Sequence, residues 1–273
     1  MTDTAVLRAR FRELHQSGCF VIPNPWDAGS ARLLEQAGFR ALASTSAGIA
    51  WSMAKRDNGV SLDATLARLR EIVDAVDVPV NADFEGGFAI EPNDVATNVA
   101  KAIDTGISGL SIEDSTGDAS NPLFDFALAV ERIRAARRAI DASGSGVFLT
   151  ARTEGFIVGR PDIDETVRRL SAFAEAGADC LYAPGIQRPE HISTVVRAVS
   201  PKPVNVLVGA NFTTLADLAE LGVRRVSVGG AFARVAFAAM VEAATELSAH
   251  GTFGGLATAL TFAHLNSAFP PSA

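Results

Sequence analysis

The chain has few of the residues that several enzyme classes require. Of its 273 residues, only four are histidine and two are cysteine. The histidines are His15, His191, His250 and His264. None of them falls at the end of a candidate strand, so we do not expect a zinc hydrolase with histidine ligands. Two cysteines are too few for a disulfide framework, which is typical of a protein of the reducing cytosol.

Lysine is scarcer still, occurring only as Lys55, Lys101 and Lys202, none of them in a candidate strand. A Schiff-base aldolase needs a desolvated lysine inside its barrel, so this class is nearly excluded. No apolar run of about 18 residues lacks charge, and the first residues carry charges of both signs, so we expect neither a membrane span nor a signal peptide. The net charge of −7 argues against nucleic acid as a partner. We therefore expect a cytoplasmic protein that binds a small molecule.

Short apolar runs alternate along the chain with longer segments of helical spacing. The predicted strands are Cys19–Pro23, Ala41–Thr45, Pro79–Phe84, Gly109–Asp114, Val147–Arg152, Cys180–Pro184, Pro203–Val208 and Arg225–Gly230. Eight strand–helix units without a change of composition predict a (β/α)8 TIM barrel of the α/β class. We expect a single domain over residues 1–273, with the barrel at about 18–250.

Two helical segments follow the eighth predicted strand, at about residues 231–249 and 254–266. The first is expected to close the barrel, and the second would be a C-terminal extension at about 251–273. The extension has apolar residues at Leu256, Leu260, Phe262 and Leu265. They suit packing on a neighbouring subunit, with a helix exchanged between subunits, and packing on the same barrel about equally.

Acidic residues concentrate where predicted strands 2 to 5 end, which is the end of a TIM barrel that carries the active site. They are Asp57, Asp83, Glu85, Glu113 and Asp114, and Arg152 ends strand 5. Like charges at one rim repel each other unless a cation or an arginine neutralises them. Oxygen ligands without histidine suit Mg²⁺ or Mn²⁺. The alternative is that these acids form structural ion pairs with Arg56, Arg152 and Arg160.

Two further segments are candidates for binding anions. In the run Ser44–Gly48, the backbone N–H groups of Thr45, Ser46 and Ala47 could hold a carboxylate, although such runs are also ordinary turns. The pair Gly229-Gly230 opens a helix, where it would bind phosphate or allow tight packing. Asn211, after strand 7, is a further candidate substrate ligand.

With these residues in order, the chain resembles the isocitrate lyase/phosphoenolpyruvate mutase family over nearly its whole length. The resemblance lies in the segments FVIPNPWDAGSARLLEQAGFRALASTSAGIA, MAKRDNG, PVNADFEGG, IED and ARTEGFIVG. It implies that Asp57 and Glu113 hold a divalent metal, together with the acidic residues of PVNADFEGG. It also implies that Arg152 grips the substrate and that the loop after strand 2 binds the substrate carboxylate.

Departures from the family pattern reduce the number of activities that we expect. Asn81 stands where the family normally has the aspartate that ligates the metal directly, so metal affinity could fall or shift onto Asp83 and Glu85. The loop Ser115–Asn121 lacks the lysine and cysteine of the true isocitrate and methylisocitrate lyases, which speaks strongly against those two activities. It also lacks the lysine of the phosphoenolpyruvate mutases, and Pro184 replaces a histidine of theirs.

The resulting hypothesis is a metal-dependent lyase or mutase acting through a pyruvate enolate. It would cleave or form a C–C or C–P bond of a small 2-oxo or 2-hydroxy carboxylic or phosphonic acid, with Arg152, Asp57 and Glu113 as catalytic residues. The metal ligands would be Asp57, Asn81, Asp83, Glu85 and Glu113, mostly through water. The segment Ser115–Pro122 would form a lid. By analogy the protein would be a homo-oligomer, a dimer or a tetramer. Two alternatives remain, a phosphate-binding barrel isomerase or synthase and a catalytically inactive binding protein of the family.

Overall fold

Eight short parallel strands form one sheet in a computed structural model that describes residues 2–269. The strands are β1 Phe20–Ile22, β2 Leu42–Ala43, β3 Val80–Asp83, β4 Gly109–Glu113, β5 Phe148–Arg152, β6 Cys180–Tyr182, β7 Val204–Leu207 and β8 Arg225–Ser227. Their order is β1-β8-β7-β6-β5-β4-β3-β2. The Ala43 N–H donates to the Pro23 carbonyl at 3.0 Å, which links β2 to the end of β1. The predicted TIM barrel and its eight strands are confirmed, each strand being shorter than predicted.

Eleven α-helices of the described residues surround or extend this sheet. They are α1 Thr4–Leu14, α2 Ala28–Gln36, α3 Ser46–Ser52, α4 Leu62–Ala75, α5 Pro92–Ile103, α6 Phe126–Ser143, α7 Ile163–Glu175, α8 Pro189–Val199, α9 Leu215–Glu220, α10 Ala231–His250 and α11 Phe262–Ala268. A 3₁₀ turn at Gly254–Leu256 lies between the last two. The helices α1 and α3 were not predicted. In α1, fully buried Phe11 packs with Phe148 and Cys180, so this helix contributes to the core inside the barrel.

Side chains alternate between the barrel axis and the surrounding helices, as the period of two requires. Ala82 of β3 and Phe84, which directly follows this strand, are fully buried in the core shared with the helices. Asn81 and Asp83 instead line a cavity inside the barrel. In the same way Glu113 of β4 pairs in register with Arg152 of β5. The strands therefore deliver polar side chains to the barrel interior and to its C-terminal mouth.

Helix α10 does not cover the barrel as expected. In α10 only Ala233 is buried, whereas Val235 and Met240 are 65% and 59% exposed. The prediction that α10 closes the barrel is therefore wrong. The carboxylate of Glu246 accepts the N–H groups of Gly254 and Gly255, at 2.9 and 2.6 Å, which turns the chain after α10.

The second C-terminal helix starts later than predicted, because Thr261 caps it by accepting the His264 N–H at 3.2 Å. It returns to the barrel, where Gln36 of α2 donates to the Ala268 carbonyl at 2.6 Å. Leu256, Leu260 and Phe262 remain 55%, 56% and 88% exposed. Residue 1 lies outside the described part of the chain. Residues 270–273, which belong to the predicted extension, also lie outside it. Within residues 2–269, no helix has the length and apolar character needed to cross a bilayer.

Candidate active site

Arg152, at the end of β5, lies at the centre of the acidic residues. Its Nε and Nη2 donate to the two carboxylate oxygens of Glu154, the second at 3.1 Å. Its Nη1 lies 3.4 Å from Oε2 of Glu113 and 3.6 Å from Oδ1 of Asp83. The guanidinium carbon also lies 5.2 Å from the centre of the Tyr182 ring. Glu154 therefore fixes one edge of the guanidinium and leaves Nη1 directed at the mouth.

Asp83 is held by the residues that follow β2. Its backbone N–H donates to Ser44 Oγ at 2.9 Å, and its Oδ2 accepts the Ser46 N–H at 2.9 Å. Thr45 caps α3 with its side chain, so residues 45–47 form the first turn of this helix beside Asp83. The structure thus brings the predicted carboxylate-binding segment to the acidic cluster. The N–H of Ser46, however, is already engaged by Asp83.

Glu85 and Glu113 lie together beside the mouth. Glu85 has a left-handed backbone, with φ of 47°, and its carbonyl accepts the Glu113 N–H at 3.0 Å. Such a conformation in a residue other than glycine is strained and is often found at functional sites. Burial, followed by repulsion from Asp83 and Asp57, raises the pKa of Glu85 to about 8. Burial, only partly offset by Arg152, raises the pKa of Glu113 well above its usual range.

Asp57 approaches the cluster from an exposed loop after α3. Desolvation of its carboxylate, followed by repulsion from Asp83, raises its pKa, while a hydrogen bond with the Ser46 side chain opposes the rise. Asp57 thus shares the electrostatic environment of Asp83 and Glu85. The structure brings all four predicted acidic metal ligands, including Glu113, to one end of the barrel.

Arg132, which the sequence analysis missed, holds the loop that carries Glu85. This residue of α6 is 1% exposed and donates to the carbonyl groups of Gly86, Ala89 and Ile90. The bond to Ile90 is 2.7 Å long. A sequence signal existed, because Arg132 falls on the apolar stripe of its helix, where an arginine is unusual.

Asp114 belongs to a separate buried network. Its carboxylate accepts Arg169 Nη1 at 3.0 Å, Thr153 Oγ1 at 2.7 Å and the Glu154 N–H at 2.9 Å. It is therefore not part of the acidic mouth, because consecutive residues of a strand face opposite sides. Instead it fixes the segment that follows β5. Among residues 2–269, neither Arg56 nor Arg160 forms an ion pair with the acidic residues of the mouth.

The donor set at the mouth fits a hydrated divalent ion. Five carboxyl groups, those of Asp57, Asp83, Glu85, Glu113 and Glu154, lie around the single guanidinium of Arg152. In the described part of the chain, no three histidine, cysteine, aspartate or glutamate side chains converge closely enough to enclose a metal directly. Mg²⁺ commonly binds through one or two protein oxygens and keeps several waters, so a hydrated ion does not need such a cluster.

Asn81 adds a neutral oxygen to this donor set. The residue is 3% exposed, and its Oδ1 has no hydrogen-bond partner. An unpaired buried acceptor costs free energy unless water or an ion satisfies it. An amide oxygen without a partner beside Asp83 is therefore compatible with the metal role predicted for this position.

Two cavities adjoin the cluster. A cleft of about 450 Å³ is lined by Glu85, Glu113 and residues 115–117, which belong to the predicted lid. A chamber of about 40 Å³ lies inside the barrel and is lined in part by Asp83 and Arg152. Asn211 is exposed and lines neither cavity, so the structure does not bring this predicted substrate ligand to the cluster. A larger cavity of about 650 Å³ lies near the N-terminal ends of the strands, away from the carboxylates of the mouth.

The predicted lid is a short hairpin. Ser115 pairs with Leu123 in an antiparallel bridge, and the Thr116 N–H donates to the Pro122 carbonyl at 3.0 Å. Asn121, in the same loop, is exposed. The loop thus has its own hydrogen bonds while it lines the 450 Å³ cleft.

A protein family and several solved structures match most of this chain. A family model described as phosphoenolpyruvate phosphomutase matches residues 11–248. The chain belongs to this family. A Burkholderia cenocepacia J2315 crystal structure described as a lyase/mutase is 47% identical, with a TM-score of 0.94, and the match covers 97% of this chain and 95% of that one.

Two relatives of this chain are named for a substrate. The crystal structure of 2,3-dimethylmalate lyase is 30% identical, with a TM-score of 0.85, over 98% of this chain and 95% of that one. Oxaloacetate decarboxylase of Pseudomonas savastanoi pv. phaseolicola is 30% identical over 80% of this chain and 76% of the relative. Proteins of this superfamily are lyases or mutases, which supports an enzyme of that broad type.

The glycine pair after β8 serves packing in this family member. Asn24 Oδ1 accepts the N–H groups of Val228 and Gly229, at 2.9 and 2.8 Å. A Cβ atom at Gly230 would lie 2.9 Å from the Trp51 ring. The N–H of Gly229 is therefore not free for a phosphate, which weighs against the phosphate-binding alternative.

Proposed function

We propose that this protein is a metal-dependent lyase or mutase that cleaves or forms a C–C or C–P bond through a pyruvate enolate. Its substrate would be a small 2-oxo or 2-hydroxy carboxylic or phosphonic acid. The observation that carries the proposal is the convergence of partly buried carboxylates around Arg152, whose Nη1 faces the mouth. A surplus of negative charge in a partly buried site is costly unless a cation compensates it.

Mg²⁺ or Mn²⁺ would be held by Asp57, Asp83, Glu85, Glu113 and the amide oxygen of Asn81, mostly through water. When bound, such an ion supplies positive charge that stabilises an enolate. The raised pKa values of Glu85 and Glu113 mean that the metal would displace protons from these carboxylates.

The chain's own groups bind and orient the substrate. Arg152 Nη1 donates to the oxygen on which negative charge develops, while Glu154 keeps the guanidinium from rotating. The backbone N–H groups of Thr45, Ser46 and Ala47 receive the substrate carboxylate. To do so, the Ser46 N–H gives up its hydrogen bond to Asp83 and donates to the substrate instead. The loop 115–122 shields the cleft from water.

The two relatives described above support a C–C bond as the target, since they are named for dimethylmalate and for oxaloacetate. The phosphomutase description of the family keeps the C–P reaction open. The absence of lysine and cysteine from Ser115–Asn121 still argues against isocitrate and methylisocitrate as substrates.

The proposal is tested by incubating the protein with a panel of 2-oxo and 2-hydroxy acids, phosphonopyruvate included, with Mg²⁺ or Mn²⁺. Release or consumption of pyruvate is followed with lactate dehydrogenase, and phosphoenolpyruvate is assayed separately. We expect turnover of at least one acid that is abolished by EDTA and strongly reduced in Glu113→Gln. Absence of turnover together with absence of metal binding in calorimetry would instead support an inactive binding protein. Metal-independent binding of phosphorylated ligands would support the phosphate-binding alternative.

A homo-oligomer is part of the same proposal. The apolar side chains exposed along α10, such as Val235, Met240 and Val241, give a surface that a second copy could cover. Light scattering on the purified protein tests this, and a monomer at all concentrations would contradict it.

A further inference from the structure

The chamber inside the barrel contains a buried cation. Arg225 of β8 is 3% exposed and lines the chamber of about 40 Å³ below Asp83 and Arg152. Its Nε donates to Asn205 Oδ1 at 2.9 Å, and its Nη2 donates to Thr150 Oγ1 at 3.0 Å. Both of these acceptors are neutral. The mouth of the barrel thus has an excess of carboxylates, whereas its floor carries a guanidinium.

The remaining contact of Arg225 is also to a neutral group. Its Nη1 lies 3.4 Å from Nε2 of His15, whose Nδ1 lies 2.7 Å from the Phe11 carbonyl. Burial, followed by the charge of Arg225, lowers the pKa of His15 to about 3, so the imidazole is neutral. Its Nδ1–H then donates to Phe11, and its Nε2 accepts from Arg225.

No carboxylate of residues 2–269 forms an ion pair with Arg225. A guanidinium has five N–H groups, and the three contacts above use three of them. Two N–H groups are left in a buried site, where an uncompensated charge is unfavourable. The chamber therefore favours an anion.

The rest of the chamber wall is suited to the same ligand. Ser44 and Ser227 contribute hydroxyl groups, each of which accepts one hydrogen bond, from the Asp83 N–H and from Asn205 Nδ2, and keeps its own proton to donate. A volume of about 40 Å³ holds roughly three water-sized groups, which is also the number of heavy atoms in a carboxylate. The Asn81 amide is held by its Nδ2, which donates to the Ala82 carbonyl at 3.1 Å, so this residue is a wall of the chamber and not a donor to the anion.

We propose that the chamber is an anion-binding subsite in which Arg225 receives a carboxylate-sized group entering past Asp83 and Arg152. The anion has two possible sources, a free small anion and a second acid group of the substrate. The second source rests on the proposed function, and it would make the enzyme select diacids over monoacids.

The first experiment needs no substrate. Crystals of the wild-type protein are soaked in sodium bromide, and the anomalous signal of bromide is measured. We expect a peak within hydrogen-bond distance of the Arg225 guanidinium in the wild type and none in Arg225→Met. Arg224→Met is the matched control, because this neighbouring arginine donates to the Gly18 carbonyl at 2.6 Å on the outside. It should keep the peak.

A wild-type chamber that holds only water at high bromide concentration would overturn the proposal, and this result does not depend on whether Arg225→Met folds. A peak that persists in Arg225→Met would also overturn it, since it would mark an adventitious ion only.

The second experiment separates the two sources of the anion. Calorimetry with Mg²⁺ compares oxalate, whose two carboxylates are adjacent and remain at the mouth, with malate, whose second carboxylate lies farther away. If the substrate supplies the anion, Arg225→Met weakens malate at least about tenfold and changes oxalate less than twofold. Unchanged affinity for both, with the bromide peak lost, assigns the subsite to free anions. If neither acid binds the wild type, the proposed function fails, while the bromide result still decides the subsite.

Discussion

Replacing Arg152 with methionine removes a guanidinium that faces the carboxylates of the mouth. Its Nη1 lies 3.4 Å from Glu113 and 3.6 Å from Asp83. At an effective dielectric constant of about 20, the attraction to an ionised carboxylate at such a distance is worth roughly 5 kcal/mol before desolvation is counted. Breaking a buried pair typically costs about 3–5 kcal/mol. We therefore expect the metal-free Arg152→Met variant to lose about 3–5 kcal/mol of unfolding free energy at pH 8.

The loss of unfolding free energy should be smaller with Mg²⁺ than without it. Removing a positive charge next to Glu113 and Asp83 strengthens the attraction of the mouth for a divalent ion. Saturating Mg²⁺ should therefore stabilise Arg152→Met more than it stabilises the wild type. The measurement is urea denaturation followed by circular dichroism, at pH 8, with Mg²⁺ or with EDTA.

Arg137→Met is the matched control. The Arg137 side chain is 17% exposed, against 18% for Arg152, and it also pairs with two carboxylates, those of Asp141 and Asp179. It lies outside the mouth, and we expect a loss of about 1–2 kcal/mol that does not change with Mg²⁺. Equal losses in the two variants, or equal responses to Mg²⁺, would refute the reasoning that the mouth carries an uncompensated negative charge.

Three further outcomes are expected. Asp114→Asn and Arg169→Met should each cost about 3–5 kcal/mol, and urea denaturation should show a double-variant loss below the sum, because their carboxylate–guanidinium distance is 3.0 Å in a buried site; additive losses would contradict this. The folded-state pKa of Glu85, about 8, exceeds its ordinary value of 4.5, so the metal-free protein should lose stability as pH rises between these values, by up to about 1.4 kcal/mol per pH unit. Over the same range Mg²⁺ should bind more tightly and release protons, measured by calorimetry in two buffers; pH-independent binding would exclude the proton competition. Asn81→Asp should tighten Mg²⁺ binding and lower metal-free stability, whereas Asn81→Ala should weaken the binding; equal affinities in all three proteins would remove position 81 from the metal site.

The local pattern of apolar and polar residues was sufficient to predict the strands and which of their side chains face the barrel axis. Alternation with a period of two places Asn81 and Asp83 on the barrel axis, and parallel strands bring their C-terminal ends to one mouth. The same period assigns Glu113 and Asp114 to opposite faces, which the structure shows. A stricter use of this rule would have separated Asp114 from the predicted acidic rim.

Contacts between distant segments could not be predicted in this way. Arg132 on α6 binds the loop after β3, and Arg225 on β8 contacts Thr150 on β5 and His15 after α1. The sequence shows that both arginines have apolar neighbours along the chain. It does not show which groups accept their hydrogen bonds. Glu154 follows Arg152 by two residues in the sequence, yet its role in fixing Arg152 depends on the turn of the chain after β5.

By itself the sequence determined the barrel, its eight strands and the concentration of acidic residues at one end, because hydrophobic period and strand polarity are local properties. Only the tertiary structure decided that α10 leaves its own barrel uncovered, that Arg152 is shared among Glu154, Glu113 and Asp83, and that a second guanidinium lies beneath them. Burial and pairing of charge depend on which distant segments meet, and that is settled by packing of the whole chain.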